Sequence, residues 1–156
     1  MSTAYTRPER FFAVISEDDD LYRDIIVDHP QRPRCHGILD QPTHSHQGFN
    51  PLCGDEIEIH LDIGDDCIRQ IRFQGSGCSI SQAAASMLSE QLQGKSLPEA
   101  QKIAHDFRTW MMDRQAPQCP EGLGDLEALA GVRNYPVRIK CALLSSSTFE
   151  QALKGS

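Results

Sequence analysis

The spacing of apolar positions changes period along this chain, and each change predicts an element. Ile57, Ile59, Leu61 and Ile63 alternate with Glu56, Glu58, His60 and Asp62, the period of two expected of a strand with one dry face. Gly64-Asp65-Asp66 supplies a turn, and a second strand over about 68–74 places Ile71 and Phe73 on one face of an antiparallel hairpin. From Ser79 the period becomes helical, with Ala84, Met87, Leu88 and Leu92 on one stripe that Gly94 ends. Ser96-Leu97-Pro98-Glu99 reads as a capping box with an early proline, opening a helix that turns Ala100, Ile103, Ala104, Phe107 and Trp110 or Met111 inward. A loop containing Pro117, Cys119, Pro120, Gly122 and Gly124 leads to a short helical piece over about 126–130. After Asn134-Tyr135-Pro136, a last helix to about residue 153 is expected to put Val137, Cys141, Leu144 and Thr148 on one face.

Upstream, a short helix over about 21–28 should stop before His29-Pro30, because the residue ahead of a proline is driven out of the α region. Residues 1–20 show no amphipathic period and end in an acidic run, so they are expected to form a flexible tail, with one domain over 21–156. Two or three antiparallel strands followed by several helices make an α+β fold, a small sheet packed against helices.

Composition narrows the function more than the fold. At 156 residues, 39% hydrophobic and 24% charged, the chain can bury one sizeable core. A formal charge of −7 argues against nucleic acid or an anionic membrane as partner, since both demand clustered Lys and Arg. The apolar run Phe11-Phe12-Ala13-Val14-Ile15 is broken at once by Ser16-Glu17-Asp18-Asp19-Asp20, so neither a signal peptide nor a membrane span is expected, and the cytoplasm is the expected compartment. Six cysteines in such a chain read more readily as ligands or nucleophiles than as a disulfide framework.

Three cysteines and one aspartate stand in local patterns of their own. In Cys53-Gly54-Asp55 the glycine permits a tight turn, so two side chains can aim at one ion from a loop entering a strand. Cys78, in Gly75-Ser76-Gly77-Cys78, precedes a helix whose dipole favours thiolate. Cys141 lies in the opening turns of the last helix with Arg138 and Lys140 nearby, cations able to offset part of the charge of an anionic donor set. Three thiolates and a carboxylate suit a tetrahedral zinc ion or an iron–sulfur cluster. Taken singly, each cysteine reads more readily as a small buried hydrophobe, and Cys35, Cys67 and Cys119 are left as such. His44-Ser45-His46 reads as surface histidines of a polar loop, His29, His36, His60 and His105 have no partner pattern, and Asp65-Asp66 reads as turn chemistry.

Four boxes in order change that balance. Leu21-Tyr22 with Asp28-His29 and Pro33-Arg34, then Asn50-Pro51-Leu52-Cys53-Gly54-Asp55, then Phe73-Gln74-Gly75-Ser76-Gly77-Cys78-Ser79-Ile80-Ser81, then Pro136-Val137-Arg138-Ile139-Lys140-Cys141-Ala142-Leu143-Leu144 together resemble the U-type iron–sulfur cluster assembly proteins, the NifU N-terminal and IscU-like family. The chain is most similar to the SufU branch. Cys78 and Cys141 are 63 positions apart, longer than in the IscU scaffold branch, and Lys140 stands where scaffold members carry a histidine.

The resemblance implies an edge strand within 31–51 and a metal site at one end of the sheet, with zinc held by Cys53, Asp55, Cys78 and Cys141. It also implies work beside a pyridoxal-phosphate cysteine desulfurase of the SufS type, whose persulfide sulfur passes to Cys53 after a histidine of the desulfurase takes its place at zinc. Arg138 and Lys140 are expected on the partner-facing surface, and further iron–sulfur assembly proteins are expected downstream. On this reading the chain is a sulfurtransferase-type accessory rather than an independent enzyme. The alternative is a scaffold holding a transient [2Fe–2S] cluster, or iron, on the same four residues.

Overall fold

The computed structural model describes residues 17–115 and 118–155. Its sheet has three antiparallel strands in sequential order: β1 (His44–Asn50), β2 (Asp55–Gly64) and β3 (Cys67–Ser76). Around it lie α1 (Glu17–Gln31), α2 (Ser79–Leu92), α3 (Leu97–Met112), a 3-10 segment (Gly124–Asn134) and α4 (Pro136–Gly155).

The β2–β3 hairpin follows from its turn. Asp65 and Asp66 have φ of 56° and 62°, the left-handed pair of a two-residue type I′ turn, whose twist matches that of the flanking strands. The register sets Ile59 opposite Phe73 and Leu61 opposite Ile71, so the dry face predicted by the alternation is buried. Ile63 is the exception. A register shift between Asp62 and Ile63 rotates it toward the rim, where it is only half-buried. β1 is the edge strand that the family resemblance implied, paired from His44–Leu61 to Asn50–Asp55.

Helices α2 and α3 bury the stripes expected of them, and Ser96 and Glu99 make both bonds of the capping box. In contrast, α4 is buried on more than one side. Every residue from Cys141 to Ser146 is buried, because this helix packs against β1, β2, α2, α3 and the 3-10 segment at once. Its first turn projects past that packing, so Val137, expected inward, is 59% exposed. The helical piece expected over 126–130 is longer, an eleven-residue 3-10 segment.

Helix α1 corrects the proline argument. It runs through His29 and Pro30 to Gln31 instead of stopping at residue 28. Pro30 sits in the last turn, where it removes a single i→i−4 hydrogen bond and only Gln31 follows it in the helix. A tertiary clasp also holds the residue before it: His29 is fully buried, with Nδ1 2.7 Å from Ser86 Oγ on α2 and Nε2 2.9 Å from Asp125 Oδ2 on the 3-10 segment. The Arg34 N–H donates to the same Ser86 Oγ at 2.7 Å. With Ser86 donating to Nδ1, His29 donates from Nε2 to Asp125, and every polar atom of the clasp is satisfied. Of the expected tail, residues 17–20 belong to α1, and residues 1–16 lie outside the described residues, as does Pro117 of the expected loop.

Candidate metal centre

The sheet, α2 and α4 meet at the start of β2, and the residues singled out by local pattern meet there too. The turn from β1 into β2 is tied by the Asn50 carbonyl, which accepts the N–H groups of Cys53 (3.3 Å) and Gly54 (2.9 Å). Gly54 has φ of 72°, so the tight turn expected between Cys53 and Asp55 is present. Asp55 opens β2 and is 1% exposed. Cys78 is the N-cap residue of α2, in extended conformation, and its N–H donates to Asp55 Oδ1 at 2.8 Å. Gly77 makes this approach possible: at φ of 140°, a Cβ there would lie 2.9 Å from Asp55 Cα and strike Oδ1.

Cys141 comes from the buried face of α4, in its second turn, and is fully buried. Its Sγ lies 3.1 Å from Cys53 Sγ, well beyond disulfide distance. Donor atoms of Cys53, Asp55 and Cys141 all lie within 4.8 Å of one another, and Cys78 Sγ stands 3.9 Å from Asp55 Oδ2. Asn50 bridges the set, its amide nitrogen 3.4 Å from Asp55 Oδ2 and 3.6 Å from Cys141 Sγ. Sequence reading included Asn50 in the box with Cys53 and Asp55 but gave it no role.

Electrostatics describe a donor set in want of a cation. Burial works to raise the Asp55 carboxyl, but hydrogen bonds from the Cys78 N–H, the Cys141 and Cys78 thiols and the Asn50 amide together hold it below its ordinary value. The Cys141 thiol is pushed far up by burial and then by its neighbours Cys53, Asp55 and Cys78. A buried thiol among these groups keeps its proton unless a metal ion replaces it, so the arrangement fits a divalent ion, whose binding releases such protons. Arg138 and Lys140 are exposed, where water screens them, so the charge offset expected of them within the set is small.

The other cysteines stay apart from this cluster. Burial raises the Cys35 thiol, and burial with the Glu127 carboxylate raises Cys119 to about 11, so both are poor nucleophiles. Cys67 opens β3 at the hairpin, away from the donor corner. His44 binds Thr43 Oγ1, and His60 pairs with Glu58 at 2.9 Å, both on the sheet.

The model of the NifU-like N terminal domain matches residues 21–142. The chain belongs to that family. It is 38% identical over 135 residues to the zinc-dependent sulfurtransferase SufU of Bacillus subtilis, covering 86% of this chain and 90% of that one. It is 39% identical over 142 residues to the iron–sulfur cluster assembly scaffold protein IscU of Streptococcus pyogenes, covering 91% and 88%. The fold matches the crystal structure of a candidate SUF-system iron–sulfur cluster assembly scaffold protein from Fervidobacterium islandicum with a TM-score of 0.76 at 32% identity, covering 83% of this chain and 94% of that one. No helix among the described residues of this NifU-like domain is long and apolar enough to cross a membrane.

Proposed function

We propose that this NifU-like domain is a zinc-dependent sulfur acceptor and carrier in iron–sulfur cluster assembly, receiving persulfide sulfur on Cys53 from a pyridoxal-phosphate cysteine desulfurase of the SufS type. The observation that carries the reading is the convergence of Cys53, Asp55 and Cys141, with Cys78 beside Asp55, at one corner of the fold. Zinc bound by these four would keep their thiols deprotonated near neutral pH and tie three separate segments together.

The four residues are unequal in a way that suits sulfur transfer. Cys141 is sealed in α4, Asp55 is locked by hydrogen bonds from three neighbours, Cys78, Cys141 and Asn50, and Cys78 is fixed by the start of α2. Cys53 rides a short loop beside exposed Leu52 and is only half-buried, so it is the thiol that can leave the set and reach a donor. As thiolate it attacks the outer sulfur of the partner's cysteine persulfide. A new S–S bond forms on Cys53 while the partner's S–S bond breaks, and the electron pair departs with the partner's thiolate. Exposed Leu52 and Val137 offer apolar contact beside the opening, and Arg138 adds a guanidinium able to pair with carboxylates of the desulfurase.

Lys140 favours carrier over scaffold. It is exposed one residue before Cys141 and supplies no imidazole, whereas the resemblance gives scaffold members a histidine there. The IscU relative is as similar as the SufU relative, which supports a second reading: a [2Fe–2S] scaffold on Cys53, Asp55, Cys78 and Cys141. The deciding experiment mixes the chain with a cysteine desulfurase and measures alanine release and persulfide by mass spectrometry. The carrier reading expects stimulation and a persulfide on Cys53, both lost in Cys53→Ala. A stable cluster chromophore on reconstitution, without stimulation, overturns it in favour of the scaffold.

A further inference from the structure

The loop between β1 and β2, Pro51-Leu52-Cys53-Gly54, is wound around a single residue. The Asn50 carbonyl accepts the N–H groups of Cys53 and Gly54 at 3.3 and 2.9 Å, and the Asn50 side-chain Oδ1 accepts the Leu52 N–H at 3.3 Å. Three successive N–H groups of the loop thus end on Asn50. The nitrogen of the same side-chain amide reaches the rigid part of the donor set, 3.4 Å from Asp55 Oδ2 and 3.6 Å from Cys141 Sγ. An amide nitrogen carries two hydrogens, so both contacts are made at once, and Asn50 is 7% exposed, so water competes little for them. The two ends of this side chain hold unlike things. Asp55 and Cys141 are buried in β2 and α4, whereas Pro51, Leu52 and Gly54 are exposed and Cys53 is half-buried. Gly54, at φ of 72°, has no atom within 4 Å of the place a Cβ would take, so the loop has room to turn there.

We infer that Asn50 is a latch for Cys53: its side chain holds the Leu52 N–H at one end and Asp55 with Cys141 at the other, and so sets how readily Cys53 swings away from the donor set. The residue type suits the task, because the bridge needs an acceptor and two donors on one short planar group. An aspartate in its place would still accept from Leu52, but it would set a second carboxylate against Asp55 and the Cys141 sulfur. Leu52 is 67% exposed, so a partner packing on it pulls at the same N–H that the latch holds, and Cys53 comes free on contact. That coupling to a partner rests on the function proposed above; the latch itself does not.

The test uses the full-length chain, metal-free and zinc-loaded, with no desulfurase present. Iodoacetamide alkylation is timed by mass spectrometry at each cysteine. Asn50→Ala should raise the rate at Cys53 roughly tenfold, the effect of losing one ordinary hydrogen bond, and move Cys78 and Cys141 by less than about twofold. Replacing the Leu52 amide by an ester deletes only that N–H, so it should reproduce the increase, and adding it to Asn50→Ala should raise the rate no further. Should Asn50→Ala fail to fold, the ester alone decides. An unchanged rate at Cys53, a rise at all three cysteines together, or additive effects of the two changes overturn the inference. If the variants behave as expected but zinc slows Cys53 no more than it slows Cys35, the zinc reading of the site fails and the latch stands.

Discussion

Replacing Gly77 with alanine should damage the metal centre from a position that holds no ligand. The new methyl meets Asp55 twice, at the carboxylate Oδ1 and at Cα 2.9 Å away, and the second contact is with backbone that opens β2 and cannot step aside. Two costs add. An alanine held at φ of 140° stores about 1–3 kcal/mol of backbone strain. Pushing Asp55 away from the Cys78 N–H removes a 2.8 Å bond to a buried, ionised carboxylate, worth about 1.5–3 kcal/mol. Gly37→Ala separates the two, because Gly37 has a similar φ of 135° but nothing within 4 Å of its would-be Cβ. Urea titration of the metal-free proteins should find Gly77→Ala less stable than Gly37→Ala by about 1.5–3 kcal/mol. Competition with a zinc chelator should find the affinity of Gly77→Ala lowered by roughly ten- to a hundredfold and that of Gly37→Ala unchanged. Equal stabilities and equal zinc affinities for the two variants would refute the claim that Gly77 exists to seat Asp55 against Cys78.

Other residues should fail in distinguishable ways. His29→Ala breaks the buried clasp to Ser86 and Asp125 and leaves a cavity, so it should cost about 3 kcal/mol in urea denaturation while zinc content stays normal; lost zinc would tie the clasp to the site instead. Asp55→Ala should loosen the metal, with X-ray absorption changing from three sulfurs and one oxygen, whereas Arg138→Ala should keep its zinc and bind the desulfurase roughly tenfold more weakly, as calorimetry on both variants would read. Cys35→Ala, Cys67→Ala and Cys119→Ala should retain both zinc and persulfide formation, and loss of persulfide in any of them would place a second acceptor thiol on the chain.

Sequence reading did best where the physics is local. Alternation from Ile57 to Leu61, the Asp65-Asp66 turn and the Ser96–Glu99 capping box are each decided by neighbours within a few positions, and all three are present. Cys78 at the N-cap of α2 was legible for the same reason. The errors come from tertiary contacts. Pro30 ended α1 on local grounds, yet partners 57 and 96 positions away hold His29 in the helix. Val137 shares a helical face with Cys141, but the fold stops one turn short of covering it. The convergence of Cys53 and Cys141 across 88 positions has no local signal at all, and only the order of the four boxes pointed to it. Asn50 was quoted in its box without a role because an asparagine before a turn has an ordinary explanation, and its bond to Cys141 is visible only in three dimensions.

The placement of Cys141 on the last helix also sets a timetable for the metal. A chain emerges from the ribosome N-terminus first, so the sheet, α2 and α3 are available to fold before α4 exists. Until α4 docks against β1 and β2, Cys53, Asp55 and Cys78 form an open half-site, with two thiols and a carboxylate and no fourth donor. Closing it joins Cys53 and Cys141 across 88 positions, the slow kind of contact in a folding domain. On the proposed function, tight metal retention therefore requires α4. Metal stoichiometry would then report on the integrity of the domain, and a product cut short before residue 141 would be distinguished from the intact domain by what it fails to hold.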